Sequence, residues 1–509
     1  MQLRLWHIAR GVVSNWFTMG ATLAVGVFLQ PFIVHRLGDL EYGIWVLTVS
    51  SISYLVMLDM GMNASVMRYI SKGYATQDHQ GASEALSAVL WMRLQISAVI
   101  LLASGGLAAL FPLVFKVPPQ LARDAREAVL VVGLTTAITM TFGIFNATLA
   151  ALNRYDLRSY ASLLQLAIRL IGVVTVLLAG HGIVAIAFCE LLAASAGSAL
   201  VLLLSRRVYP ELRLSLARPK WEVLRKIWSY SFYAFLITVA IQLVYQSDNV
   251  VVGGFISASA VTFYSIGNSL CRYTQQFLGS MTTTFCPAAS TFESAGNVAA
   301  LKSLYINGTR ATLVLSLPIV ITLILRGQTF IGLWMGPQYA RPSGTVLAIL
   351  AVALMFSLQN MTAGAMALGV EKHKVVAWWA VGEGIANLVL SVILARTGLG
   401  IYGVAIGTLG PSVIVHLIMW PNYVSRLVDV TAVQVLRDIW GPVFLCSIPF
   451  AALSYAVNEM FPPRNIVLFA LQTIALLPAF VLCIGFIFRQ SIRQQLLPRV
   501  RSFFEAYAR

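Results

Sequence analysis

The feature that most constrains this chain is a succession of apolar stretches, each near the 20 or so residues that a helix needs to cross the roughly 30 Å hydrocarbon layer of a bilayer. Fourteen can be marked, at 12–34, 44–66, 86–111, 128–151, 160–180, 183–204, 229–255, 261–287, 309–325, 343–369, 375–395, 401–420, 440–460 and 466–488. Only 11% of the residues are charged and 59% are apolar, with a mean hydropathy of +0.81; a soluble protein carries about 25% charge. An all-α polytopic membrane protein follows, because in hydrocarbon a helix satisfies every backbone amide within its own segment. The first stretch is too long for a secretory signal and lacks a small-residue cleavage site. The residues before it set Arg4, His7 and Arg10 among Leu3, Leu5, Trp6 and Ile8, the pattern of a short basic helix at the membrane surface.

Fourteen crossings put both ends of the chain on one side. Of the 35 Lys and Arg, 24 fall in the termini and loops of that side and eight, Arg326 among them, in the opposite loops. Arg93, Arg169 and Arg272 lie inside stretches. The positive-inside rule then predicts that both termini are cytoplasmic. The net charge of +16 is accounted for by topology, and no nucleic-acid partner is needed. The seven basic residues of the longest link, 205–228, read as a stop-transfer signal touching anionic lipid.

The sequence also repeats. Residues 147–179 lie on 363–395 without a gap, a shift of 216: Ala151-Leu152 falls on Ala367-Leu368, Ala179 on Ala395, and the polar turn Asn153-Arg154-Tyr155-Asp156 on Gly369-Val370-Glu371-Lys372. This predicts two pseudo-symmetric six-helix lobes with parallel topology: an N-lobe at 1–204, the basic link 205–228, a C-lobe at 229–420, and an addition at 421–509 that holds two extra helices and a basic tail. Paired repeats of this kind normally enclose a site near the bilayer midplane.

No phosphate-binding loop, zinc motif or nucleophile motif is present. Cys189, Cys271, Cys286, Cys446 and Cys483 fall singly in apolar stretches, with neither metal spacing nor a disulfide framework. No cofactor or metal is expected, nor an enzyme: the links are short, and the acids inside stretches, Asp59, Glu190, Asp248 and Glu383, lie on four spans without clustering.

What remains is a set of polar groups at membrane depth, where a charge normally faces a protein interior or a watery path. They are densest at 229–287. At about 1.5 Å per residue, Arg272 lies about 17 Å below the outer end of its helix and Asp248 about 10 Å. Asn249, Asn268, Gln242, Gln246, Gln275 and Gln276 share the hairpin. Arg272 is expected to face substrate. Asp248 either neutralises it or binds a coupling proton or cation. On the first span Asn15 and Gln30, candidates to line a central cavity, precede Pro31, which weakens backbone hydrogen bonding and can kink the helix. Asp59 is an ion-coupling candidate, or else a cap or salt-bridge partner. Arg93 either lines the path or snorkels to the inner face. Arg169 lines the path or pairs with Glu190. Glu383-Asn387 and His416 suggest a second polar patch, for ion coupling or for helix–helix hydrogen bonds.

Residues 30–72 resemble the start of bacterial polysaccharide biosynthesis proteins, the lipid-linked oligosaccharide flippases related to O-antigen translocases. The likeness rests on Pro31-Phe32-Ile33, Leu37-Gly38, Tyr42-Gly43-Ile44-Trp45, Tyr54, Leu58-Asp59-Met60-Gly61 and Arg68-Tyr69. Asp248-Asn249-Val250-Val251-Val252-Gly253 and Leu333-Trp334-Met335-Gly336-Pro337-Gln338-Tyr339 are similar to later segments of that family. The resemblance implies a fold like the multidrug and toxic compound extrusion (MATE) transporters of the MOP superfamily. It also implies export of an undecaprenyl-diphosphate-linked oligosaccharide, a precursor of lipopolysaccharide O-antigen or exopolysaccharide, across the bacterial inner membrane, beside polysaccharide polymerase or export proteins. A monomer suffices for a two-lobed transporter. An inward Arg can grip phosphate oxygens bidentately. Two other readings stand: a MATE-like drug or cation antiporter, and a membrane enzyme of glycan assembly.

Overall fold

The computed structural model describes residues 2–219, 221–282, 285–372 and 374–487, and among these there is no strand. The helices are α1 Gln2–Ser53, α2 Met62–Thr76, α3 His79–Val114, α4 Pro119–Ala151, α5 Tyr155–Leu178, α6 Ile183–Val208, α7 Trp221–Phe255, α8 Ala258–Thr282, α9 Phe285–Ser294, α10 Val298–Trp334, α11 Pro337–Leu358, α12 Met361–Gly369, α13 Lys374–Ala395, α14 Gly400–Ile414, α15 Trp420–Val428, α16 Ala432–Val435, α17 Gly441–Met460 and α18 Ile466–Ile487.

Eleven segments of the described residues are long and apolar enough to cross a membrane, against the fourteen expected. The first, Ser14–Asp59, runs 46 residues. It contains the bend at Gly38 (φ 76°, ψ 171°) where the sequence suggests a loop. Helices α7 and α8, 35 and 25 residues long, are not among the eleven.

Three expectations about individual spans are corrected. The loop expected between the first two spans, 35–43, shrinks to a single break at Gly38, where a residue without Cβ takes a positive φ at no steric cost. The second stretch is not one helix: α1 stops at Ser53, a tighter 3-10 turn covers Tyr54–Asp59, and Met60 and Gly61 are left-handed (φ 50° and 71°) before α2 begins. Arg326 is not in a loop. It sits within α10, whose 37 residues extend about 55 Å, and it is fully buried. Its Nε and one terminal nitrogen donate to Asn458 Oδ1 (3.4 Å) and Thr473 Oγ1 (3.5 Å), its other terminal nitrogen donates to Gln472 Oε1, and its guanidinium lies 4.6 Å from the Phe469 ring centre. These partners are on α17 and α18, so a cation–π contact and neutral acceptors pin the last two helices to α10.

The internal repeat recurs in turn geometry, at a different offset. Helices α4 and α11 both open on proline, Pro119 and Pro337, 218 residues apart. Left-handed Asn153 (φ 57°) and Glu371 (φ 55°) close α4 and α12, also 218 apart. The flanking hydrogen bonds match one for one: Leu152 to Thr148 and Arg154 to Leu149, against Val370 to Met366 and Lys372 to Ala367. Gly180 (φ 81°) and Gly398 (φ 83°) follow suit. Asp78 and Asn297 cap α3 and α10 through Gly81 and Ala300, 219 apart. The shift of 216 read from matching letters is therefore two residues short; in an apolar alphabet letters coincide by chance, while turns do not.

The chain packs as two compact units, Met1–Ser265 with Ala377–Gly407, and Ile266–Val376 with Thr408–Arg509. Val66, Ile70, Leu86, Val89, Phe145 and Tyr209 build one core of the first. Leu301, Leu317, Met366, Trp420 and Val424 build one of the second.

The 205–228 link is not simply a solvated basic tether. Tyr209 is buried, its hydroxyl 2.7 Å from His79 Nδ1 and its ring edge-on to Tyr74. Burial pushes its phenol pKa up, with Glu211 adding to the effect. Backbone N–H groups of Arg213 and Ser215 then donate to Ser83 and Ser87, one turn apart on α3. Alternate residues of an extended strap thus match successive turns of a helix. A groove of about 560 Å³ lies beside it, lined by His79, Gln80, Glu84, Arg213 and Arg218 among others.

Candidate functional site

In the first unit Gln246, Ser247, Asp248 and Asn249 of α7 are buried. Asp248 is 3% exposed. Its Oδ2 accepts from Tyr264 (2.6 Å) and its Oδ1 lies 3.4 Å from the Ser391 hydroxyl. That hydroxyl is also within reach of Asn387 Oδ1 (2.9 Å) and the Val404 carbonyl (3.2 Å). Asn387 Nδ2 donates to the Val244 carbonyl. Asn249 donates to Ser50 (3.0 Å), while its Oδ1 is buried without a hydrogen-bond partner. Gln242 donates to the Ser53 carbonyl. Two hydroxyls thus hold the Asp248 carboxylate within the first unit. The close approach behind it depends on Gly407, where a Cβ would meet the Ser391 backbone nitrogen at 2.7 Å.

Arg93 does not snorkel. It is 1% exposed. It donates to Asp59 Oδ1 (2.5 Å), Asn63 Oδ1 (3.0 Å) and the Met140 carbonyl (2.9 Å). Asp59 is thereby brought into a buried ion pair. Arg169 pairs with Glu190 at 2.7 Å, with side chains 44% and 18% exposed. Gln30 is buried and Asn15 exposed. Glu383 is partly buried on α13, one turn before Asn387.

In the second unit Arg272 is partly exposed on α8 between buried Cys271 and Thr274, with no ion pair among the described residues. Asn268, one turn earlier, is partly exposed too. Close packing of α8 on α11 is permitted by Gly267, whose Cβ would meet the Ser343 carbonyl at 2.6 Å. His416 sits on a π turn, Val415–Met419, and its carbonyl accepts from Gln359 and Asn360, the residues dividing α11 from α12.

Sequence reasoning passed over Asn63, Tyr264 and Ser391. Two of them were within reach of a spacing argument: Asn63 follows Asp59 by four residues, one turn along the single helix expected there, and Ser391 follows Asn387 by four on α13. Tyr264 carries no such signal.

Comparison with known proteins fits this architecture. The chain is 24% identical over 425 residues to the uncharacterized membrane protein EpsK of Bacillus subtilis (strain 168), spanning 82% of this chain and 83% of that one. It is 23% identical over 216 residues to the probable low-salt glycan biosynthesis flippase Agl15 of Haloferax volcanii, 42% of this chain and 45% of that one. Among solved structures, an inward-facing multidrug resistance MATE family transporter of the MOP superfamily superposes with a TM-score of 0.69 at 15% identity, over 81% of this chain and 95% of that one. A MOP superfamily transporter from Pyrococcus furiosus, described as having a binding pocket of reverse polarity, superposes with a TM-score of 0.63 at 17% identity, over 84% and 96%. The fold is MATE-like. Residues 37–343 match the profile of the family described as polysaccharide biosynthesis protein, and this multi-pass membrane protein belongs to that family.

Proposed function

We propose that the protein carries an undecaprenyl-diphosphate-linked oligosaccharide from the cytoplasmic to the outer leaflet of a bacterial inner membrane by alternating access, as fourteen spans with both termini in the cytoplasm. The family match supports a role in polysaccharide biosynthesis. One observation carries the substrate class: Arg272 stays partly exposed on a long helix without a carboxylate to neutralise it among the described residues. A guanidinium so placed is suited to two phosphate oxygens at once. Asn268 supplies an amide for phosphate or sugar hydroxyls one turn away. Asp248 supplies a carboxylate able to take a proton or cation as the cycle turns. No step makes or breaks a covalent bond, so the cargo leaves chemically unchanged, and one copy of the chain suffices.

Arg272→Ala tests this in a strain that depends on the protein for surface glycan. The variant is expected to insert at normal abundance while the lipid-linked sugar accumulates inside; normal glycan export by that variant would overturn the assignment. Antiport of a cationic drug is the second reading, favoured by the buried acid Asp248 in a MATE-like fold. Asp248→Asn separates the two: drug resistance lost with glycan export intact selects the antiporter.

A further inference from the structure

The second span breaks in a place its own sequence does not require. No proline lies between Pro31 and Pro112, and Gly61 only permits the left-handed turn that Met60, with a full side chain, also adopts. Long side chains avoid that region of backbone space. Locally the break has the Met60 N–H bonded to the Met57 carbonyl at 3.2 Å, and Gly61, ahead of α2, offers no side-chain cap. Something outside the span must hold it in this shape.

Arg93 is placed to do so. One of its terminal nitrogens reaches Asp59, the last residue before the break, and Asn63, the second residue after it. The other is fixed to the Met140 carbonyl of α4. One guanidinium therefore joins both sides of the break to a neighbouring helix. Two features keep it there. Gly143 leaves room, for a Cβ would sit 2.8 Å from the Arg93 terminal nitrogen. One turn along α3, Ser97 bonds the Ala137 carbonyl and Thr141, locking α3 to α4 beside the clamp. The Arg93 Nε is buried without a hydrogen-bond partner among the described residues, so the clamp leaves one of its own donors unsatisfied. At the matching position of the repeat stands Thr312, whose hydroxyl bonds the Gly308 carbonyl and Thr362.

We propose that Arg93 is a positioning residue that holds the second span in its broken form, and that residues 59–61 are where this span changes shape during transport. The first part stands on geometry alone; the second rests on the transport reading above.

The test uses the full chain in lipid nanodiscs, with spin labels at the exposed positions Val49 and Met67, either side of the break. An unbroken helix would separate their backbones by about 27 Å. The broken form is expected to give a shorter, single distance. Arg93→Met should shift the distribution toward the longer one, and Arg93→Lys, whose single ammonium cannot serve all three acceptors, should give both populations. An unchanged distribution in Arg93→Met would overturn the clamp. Should that variant fail to fold, Asp59→Asn and Gly143→Ala perturb the same contact more gently, and no change in either does the same. Glycan export by Arg93→Lys is expected to fall about tenfold at equal protein abundance, the loss of one charge-assisted hydrogen bond. Wild-type export alongside altered distances would remove the break from the cycle while leaving the clamp standing. The distances are read without cargo, so a failure of the substrate assignment would not move them.

Discussion

The two copies of the repeat use the same turns and different chemistry where a span is held in place. In the first copy Arg93 of α3 is a buried cation tied to Asp59, Asn63 and the Met140 carbonyl. In the second, the matching residue of α10, Thr312, is a buried hydroxyl sharing a 3.2 Å contact with Thr362. The caps around them correspond, Asp78 with Asn297 and Asn153 with Glu371. Backbone geometry was evidently easier to keep than side-chain identity. Turns depend on left-handed angles and helix ends that several residue types supply, whereas a buried charge needs every partner at once.

Removing the cation should therefore cost most. Arg93→Ala leaves Asp59 unpaired in a largely buried site, a loss of about 3 kcal/mol, seen as a steep drop in melting temperature in detergent. Thr312→Val in the second copy should cost about 1 kcal/mol. Equal losses would break the comparison. A second matched pair sharpens it: Gly407→Ala forces a Cβ into the Ser391 backbone and should cost about 1–3 kcal/mol by overpacking. Its counterpart 218 residues earlier is Cys189, whose Sγ lies beside Gly172; Cys189→Ala should stay below about 1 kcal/mol. The smallest effect is expected at the strap. Tyr209→Phe keeps the ring against Tyr74 but loses the His79 bond, about 0.5–1 kcal/mol. A larger loss would mean that the hydroxyl, not the buried ring, anchors the link.

The polar residues that sequence reasoning singled out divide by environment. Asp248 and Asn249 could be flagged because they stand in an apolar run, and they are indeed buried on α7. Their partners could not be flagged, because Tyr264 and Ser391 come from α8 and α13 and look ordinary in a membrane sequence. Arg326 was assigned to a loop because the ninth apolar stretch was ended at residue 325. The helix runs through it because Phe469, Gln472 and Asn458, more than 130 residues away, receive the guanidinium.

Hydrophobic length and composition were enough, by themselves, to make this an all-helical membrane chain, since the bilayer imposes one rule on every crossing segment. Where a crossing segment breaks, which charges are neutralised and which arginine stays partly exposed were decided only in three dimensions. Each of those depends on acceptors brought in from other helices, and no local pattern records which helix will be the neighbour.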